Sequence, residues 1–228
     1  MSIADLLTAD KGELEEHYPN PLEHAADGVV HAIGILATLI GGGVLIAMAL
    51  MRDGFSLGAA TSIYAASLLG MLSLSALYNL TRPSPARRVL RRLDEAGIFL
   101  MIAGSYTPLT MKLLPAEWAV TVTTVMWLAA FAGAAGKVFA PQISDRTWCL
   151  IYLAFAWASA PLVGPGLVHL QPLGLGLIAA GGLTYSAGVL IYLNHKMPFR
   201  RAAWHGIVVT AAALHFGAMF VLITPGLH

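Results

Sequence analysis

The sequence predicts an all-α protein: a bundle of seven transmembrane helices with the N-terminus cytosolic and the C-terminus outside. Composition is the first observation behind this prediction. Hydrophobic residues make up 57% of the 228 residues and charged residues only 11%, whereas a soluble domain carries about 25% charged residues. The second observation is that the apolar residues form long runs, because a bilayer core needs about 20 such residues per helix.

Seven apolar runs are long enough to span a bilayer, and each is expected to form one helix. They cover residues of about 30–51, 56–80, 94–113, 118–137, 147–166, 172–194 and 204–226. The runs are too long and too rich in Ala, Leu and Gly for strands, and a helix satisfies its own backbone groups in lipid. Residues 29–228 are therefore expected to form one membrane domain.

The first 28 residues differ from the rest of the chain. They hold seven of the twelve carboxylates and no apolar core preceded by basic residues, so they do not resemble a cleavable signal. We expect residues 1–28 to form an acidic cytosolic arm with little helix.

Lys and Arg fix the direction of the predicted helices. With a cytosolic N-terminus, eleven of the 13 basic residues lie on the cytosolic side, and only Arg52 and Lys112 lie outside. Short cytosolic loops are enriched in Lys and Arg, so this bias supports the orientation. The net charge of +1 gives no reason to expect a nucleic-acid partner, and the single cysteine, Cys149, forms no intrachain disulfide.

Polar side chains occur at the cytosolic ends of four predicted helices. His31 opens the first helix, Asn79 closes the second, Asp94 and Glu95 open the third, and His205 opens the seventh. Ionisable groups in membrane helices usually face the bundle interior and often mark function. We therefore expect these helices to form one shared polar centre near the cytosolic leaflet.

Helical spacing adds two residues to this centre. Ser75 and Asn79 are four residues apart and share a helix face, as do Arg201 and His205. Residues at the end of a span can instead be solvated by lipid headgroups. That alternative stays open for every residue named here, and it applies most directly to Glu95 and Arg201.

Several segments resemble the hemolysin III branch of the progestin and adipoQ receptor (PAQR) family. They are "EHAADGVVHAIG" at 23–34, "SALYN" at 75–79, "RRLDEAGIFLMIAGSYTPL" at 91–109 and "WHGIVVTAAALHF" at 204–216. The segments follow the family's order and cover nearly the whole chain. The resemblance also implies seven helices and a multi-pass protein of the bacterial inner (plasma) membrane.

The resemblance implies a zinc ion near the cytosolic side. In the family, an SxxxH motif on the second helix and an HxxxH pair on the seventh hold the metal, and an aspartate on the third positions a water. Here Ser75, Asp94 and His205 match that pattern, whereas Asn79 and Arg201 stand at the other two histidine positions. His205, Asp94 and Asn79 are thus the candidate metal ligands. Asparagine is a poor zinc ligand and arginine cannot be one.

Three functions are compatible with these residues. The first is a metal-assisted amide or ester hydrolase acting on a lipid, with Asp94 orienting or deprotonating the attacking water and Ser75 supporting the oxyanion. The second is a non-catalytic, lipid- or ligand-responsive receptor-like protein. The third is cytolysis or pore formation, although the predicted spans carry no row of charges that would line a conduit. Membrane lipids are the expected partners in each case.

The loss of two histidines suggests a replacement for the metal charge. If zinc is absent, the fixed charge of Arg201, one turn before His205, is expected to pair with Asp94 or Glu95. The alternative is that Arg201 extends to the headgroups as one more cytosolic cation.

Overall fold

The computed structural model describes residues 13–140 and 143–224, which form six helices and no strand. The helices are α1 Pro21–Leu80, α2 Ala86–Leu113, α3 Ala116–Phe139, α4 Asp145–Leu167, α5 Pro172–Leu193 and α6 Arg200–Ile223. The all-α prediction is confirmed for these residues. Residues 1–12 of the predicted acidic arm and the C-terminal residue His228 lie outside the described residues.

Helix α1 bends back on itself at Gly54. This glycine has φ 80° and ψ −168°, a conformation that is essentially restricted to glycine. Residues on either side of it then meet in antiparallel order. A Cβ on Gly34 would lie 3.4 Å from Leu72, a Cβ on Gly42 would lie 3.1 Å from Ala65, and both contacts bring together residues at nearly equal distances from the bend. The 60 residues of α1 thus form a helical hairpin rather than a rod of about 90 Å.

Five of the six helices are long and apolar enough to cross a membrane, and α2 is the exception. Helix α2 begins with an arginine-rich turn and carries Asp94 and Glu95, which lowers its hydropathy. Large apolar side chains cover the outer surface: Ile40 is 71% exposed, Leu128 64% and Leu190 72%. An outer surface of this kind is expected for a bundle that faces lipid.

The main core lies between both halves of α1 and helices α2 and α6. Leu45 and Tyr64 from α1, Met101 from α2 and Met219 from α6 belong to one buried cluster. A second cluster around Phe99 joins α2 to α3 and α4. The elements predicted to carry the polar centre are therefore the ones that pack most centrally.

Two helices begin earlier than the hydropathy predicts. Helix α1 starts at Pro21, where the Asn20 side chain accepts a hydrogen bond from the backbone N–H of Glu23, and proline is favoured at the first helical position. Helix α2 starts at Ala86, because arginine is a good helix former even outside the apolar run. His31 consequently lies in the third turn of α1 and does not open it.

Candidate metal and catalytic centre

Asp27 and His31 lie one helical turn apart on α1. Both are buried, with exposed fractions of 0% and 2%. The Nδ1 atom of His31 lies 2.9 Å from the backbone oxygen of Asp27. A carbonyl oxygen only accepts hydrogen bonds, so Nδ1 carries the hydrogen and Nε2 of the neutral ring is left with a lone pair.

The Asp27 carboxylate joins α1 to α6 and to the segment before α1. Its Oδ1 atom lies 2.6 Å from Nδ1 of His205, and its Oδ2 atom accepts a hydrogen bond of 2.5 Å from the hydroxyl of Tyr18. Burial raises the pKa of the Tyr18 hydroxyl, so this group remains a donor. Because an ionised carboxylate only accepts, His205 also carries its hydrogen on Nδ1 and directs Nε2 away from Asp27.

Ser75 lies where the two imidazoles meet. Its Oγ atom is 3.2 Å from Nε2 of His31 and 3.3 Å from Nε2 of His205. The hydroxyl has a single hydrogen and can donate it to only one of the two rings. The other contact to His205, from Nδ2 of Asn79, is long at 3.5 Å. The centre therefore holds two convergent imidazole lone pairs with too few good donors to satisfy both.

Asn79 and Arg201, the two departures from the family pattern, bind each other. Nη1 of Arg201 donates to Oδ1 of Asn79 at 2.8 Å. This fixes the amide with Nδ2 toward the backbone oxygen of Ser75, at 3.0 Å. Within residues 13–140 and 143–224, the expected ion pair of Arg201 with Asp94 or Glu95 does not occur.

The side chains of Asp94 and Glu95 point in different directions, because successive residues of a helix are rotated by about 100° around its axis. Asp94 is half-buried and lies near the hydroxyl of Ser75. Glu95 forms ion pairs with Nε of Arg91 at 3.2 Å and with Nζ of Lys137 at 2.9 Å. Asp94 is thus a neighbour of the centre, whereas Glu95 belongs to an ion-pair cluster between α2 and α3, which is why it is not free to bind Arg201.

Asp27, His31 and His205 could hold a metal ion. One ligand atom from each lies within 4.8 Å of the others, and no other such group occurs in the described part of the chain. Two imidazoles with a carboxylate form a donor set found in catalytic zinc sites. Metal-bound imidazoles usually donate their second N–H to a carboxylate or a carbonyl, and both rings do so here toward Asp27. With Asp27 behind the rings, His31 and His205 fit a zinc ion as two of the three protein ligands that a catalytic site usually has.

The sequence-predicted residues fall into four groups. His205 and His31 belong to the possible metal group, Ser75, Asn79 and Asp94 adjoin it, and Arg201 reaches it through Asn79. Glu95 lies apart.

Asp27 is the residue that the sequence reasoning missed, because its charge led us to place it in the acidic arm. Its spacing from His31 was the available signal. Side chains four residues apart lie on one face of a helix, and the same rule linked Ser75 to Asn79.

An all-helical chain with several apolar helices and a buried Asp–His–His group is a multi-pass integral membrane protein with a possible metal centre. The profile of the haemolysin-III-related family matches residues 22–216, and the chain belongs to this family. The resemblance to the hemolysin III branch of the PAQR family is thereby confirmed.

Curated relatives match along nearly their whole length. Hemolysin-3 of Bacillus cereus is 27% identical over 89% of this chain and 93% of its own. The hemolysin-3 homolog of Bacillus subtilis is 28% identical over 88% and 95%. The human monocyte to macrophage differentiation factor is 29% identical over 89% and 85%. The two Bacillus relatives agree with the predicted location in a bacterial plasma membrane.

Proposed function

We propose that this protein is a membrane-embedded hydrolase that cleaves an ester or amide bond of a lipid with the help of a zinc ion. The observation that carries the proposal is the convergence of the two Nε2 atoms of His31 and His205 on Ser75, at 3.2 and 3.3 Å. Both rings are oriented from behind by Asp27. Burying two imidazole lone pairs costs free energy unless each accepts a hydrogen bond or binds a metal ion.

His31 and His205 would hold the ion, and Asp27 would keep both rings in the required tautomer. When bound, zinc polarises a carbonyl group and lowers the pKa of a water to about 7. The Asp94 carboxylate, which lies near Ser75, would orient a water at the centre and accept its proton. The Ser75 hydroxyl and the Asn79 amide would supply hydrogen bonds to the developing oxyanion.

The same proposal includes seven membrane spans with a cytosolic N-terminus. It is supported by the bend at Gly54, which divides α1 into segments of 33 and 26 residues, each longer than the roughly 20 residues that a span needs. The apolar part of α2, from Ala96 to Leu113, supplies the third span. Reporter fusions at residues 1 and 228 test this topology, and a cytosolic signal from both ends would contradict it.

Metal content and hydrolysis test the chemistry. Protein purified without chelators is expected to contain about one zinc per chain, and His31→Ala is expected to lose it. His169→Ala is the matched control, because His169 is exposed and lies outside the centre. Hydrolysis of fluorogenic lipid esters and amides in mixed micelles should stop on chelation and return with zinc.

A non-catalytic, lipid-responsive protein is the second candidate. The Arg201–Asn79 hydrogen bond favours it, because these residues occupy two positions that hold zinc in the family and bring a fixed positive charge close to the centre. Wild-type protein without zinc and without lipid hydrolysis would contradict the hydrolase and support this candidate.

A further inference from the structure

A second polar site lies where α1 and α6 begin and α5 ends. It is a cavity of about 320 Å³, large enough for a small ligand. Its lining includes three fixed cations, one carboxylate and two histidines: Lys196, Arg200, Arg201, Glu23, His17 and His195. The excess of positive charge indicates an anionic ligand.

The cations of this cavity have no carboxylate partner among the described residues. Arg200 donates to the backbone oxygen of Tyr192 at 2.7 Å, and Arg201 donates to Asn79. Each guanidinium uses Nη1 in these bonds and keeps most of its five N–H donors for other groups. The single lining carboxylate is already engaged, because Oε1 of Glu23 accepts from Asn20 at 3.3 Å.

The start of α6 adds to the positive potential. The residue before it, Phe199, has φ 53° and provides no side-chain cap, and the first turn contains no acidic residue. The helix instead begins with Arg200 and Arg201, which the positive end of the helix dipole disfavours. A bound anion would remove that conflict.

His17, which lines the cavity, carries a buried ring atom that no described residue pairs with. Its side chain is only 6% exposed, and its Nδ1 atom is buried without a hydrogen-bond partner in the described part of the chain. Buried polar atoms are nearly always paired.

We infer that this cavity binds a phosphate group, carried by an anionic membrane lipid or present as free phosphate. Two neighbouring guanidinium groups and an ammonium group offer more donors than one carboxylate can accept, and guanidinium pairs closely with phosphate oxygens. The inference goes beyond the proposed hydrolase, since it requires neither zinc nor catalysis.

Thermal unfolding of the full-length protein in a neutral detergent tests this binding. Dihexanoyl phosphatidic acid at about 100 times its Kd is expected to raise Tm by about 5–10 °C, and dihexanoylglycerol, which lacks the phosphate, is expected to have no effect. Inorganic phosphate separates the two sources: an equal shift assigns the site to free phosphate, and none assigns it to the lipid headgroup. No shift with either phosphate compound overturns the inference.

Variants locate the site. Arg200→Gln is expected to weaken phosphate binding about tenfold, and Lys196→Gln, at an exposed position, by severalfold. Arg146→Gln removes an exposed cation outside the cavity and is the matched control. The inference is also overturned if Arg146→Gln weakens binding as much as Lys196→Gln and Arg200→Gln do.

Discussion

Replacing Asp27 with asparagine tests the central contacts of the protein. The change keeps the shape of the side chain but leaves one good acceptor where two donors point, the Nδ1–H of His205 and the hydroxyl of Tyr18. One of these buried donors then faces an N–H group. When the amide nitrogen faces His205, the ring is no longer held in the tautomer that frees Nε2.

The expected cost follows from the bonds that are changed. Hydrogen bonds to charged groups contribute about 1.5–3 kcal/mol each and neutral ones about 0.5–1.5 kcal/mol. Asparagine avoids the desolvation of a buried charge, which acts in the opposite direction. We expect a net loss of about 2–3 kcal/mol, which lowers Tm by about 4–12 °C in a domain of this size.

The assay is thermal unfolding in detergent, with Asp53→Asn as the matched control. Asp53 forms an ion pair with Lys112, and its side chain is 21% exposed. Ion pairs of this kind contribute about 0–1 kcal/mol. If Asp27→Asn lowers Tm no more than Asp53→Asn does, the Asp27 contacts do not hold the centre together and the reasoning is refuted.

Two further predictions concern the fold. Gly54→Ala should lower the free energy of unfolding by about 1–3 kcal/mol, because a φ of 80° disfavours any residue with a Cβ. Gly43→Ala, which has open space around its Cβ, should be neutral or stabilising. Equal Tm values for the two variants would contradict this prediction. Glu95→Gln and Lys137→Ala should each lower stability by about 1.5–3 kcal/mol, and their double variant should lose less than the sum because the two charges form one pair of 2.9 Å. Strictly additive losses would argue against that pair.

Hydropathy predicted most of the helices because the requirement to fill a bilayer with apolar residues acts on every span alike. It could not place the first turns of α1 and α2, where capping at Asn20 and helix propensity extend the helix beyond the apolar run. The bend at Gly54 was also invisible to it, since hydropathy carries no information on φ and ψ.

The centre was predictable only in part. His31 and His205 could be identified because each lies near the cytosolic end of a predicted span, and Ser75 because it lies four residues before Asn79. Asp27 could not be identified by that rule, because a charge outside the apolar run resembles a solvated one until the helix around it is known. Arg201 was expected to pair with Asp94 or Glu95 but binds Asn79 instead. Glu95 is held by Arg91, one turn earlier on the same helix, and by Lys137 of α3, and spacing along the sequence could not predict the contact to Lys137.

Because of the hairpin at Gly54, the geometry of the centre depends on the number of residues in each half of α1. His31 lies 23 residues before the bend and Ser75 lies 21 after it, so the two meet at the far end of arms that are each about 30–35 Å long. One inserted residue in either arm would turn its distal part by about 100° and shift it by about 1.5 Å. The matched lengths of the two arms therefore determine whether His31 and Ser75 meet. Substitutions within the arms should disturb the centre far less than insertions or deletions.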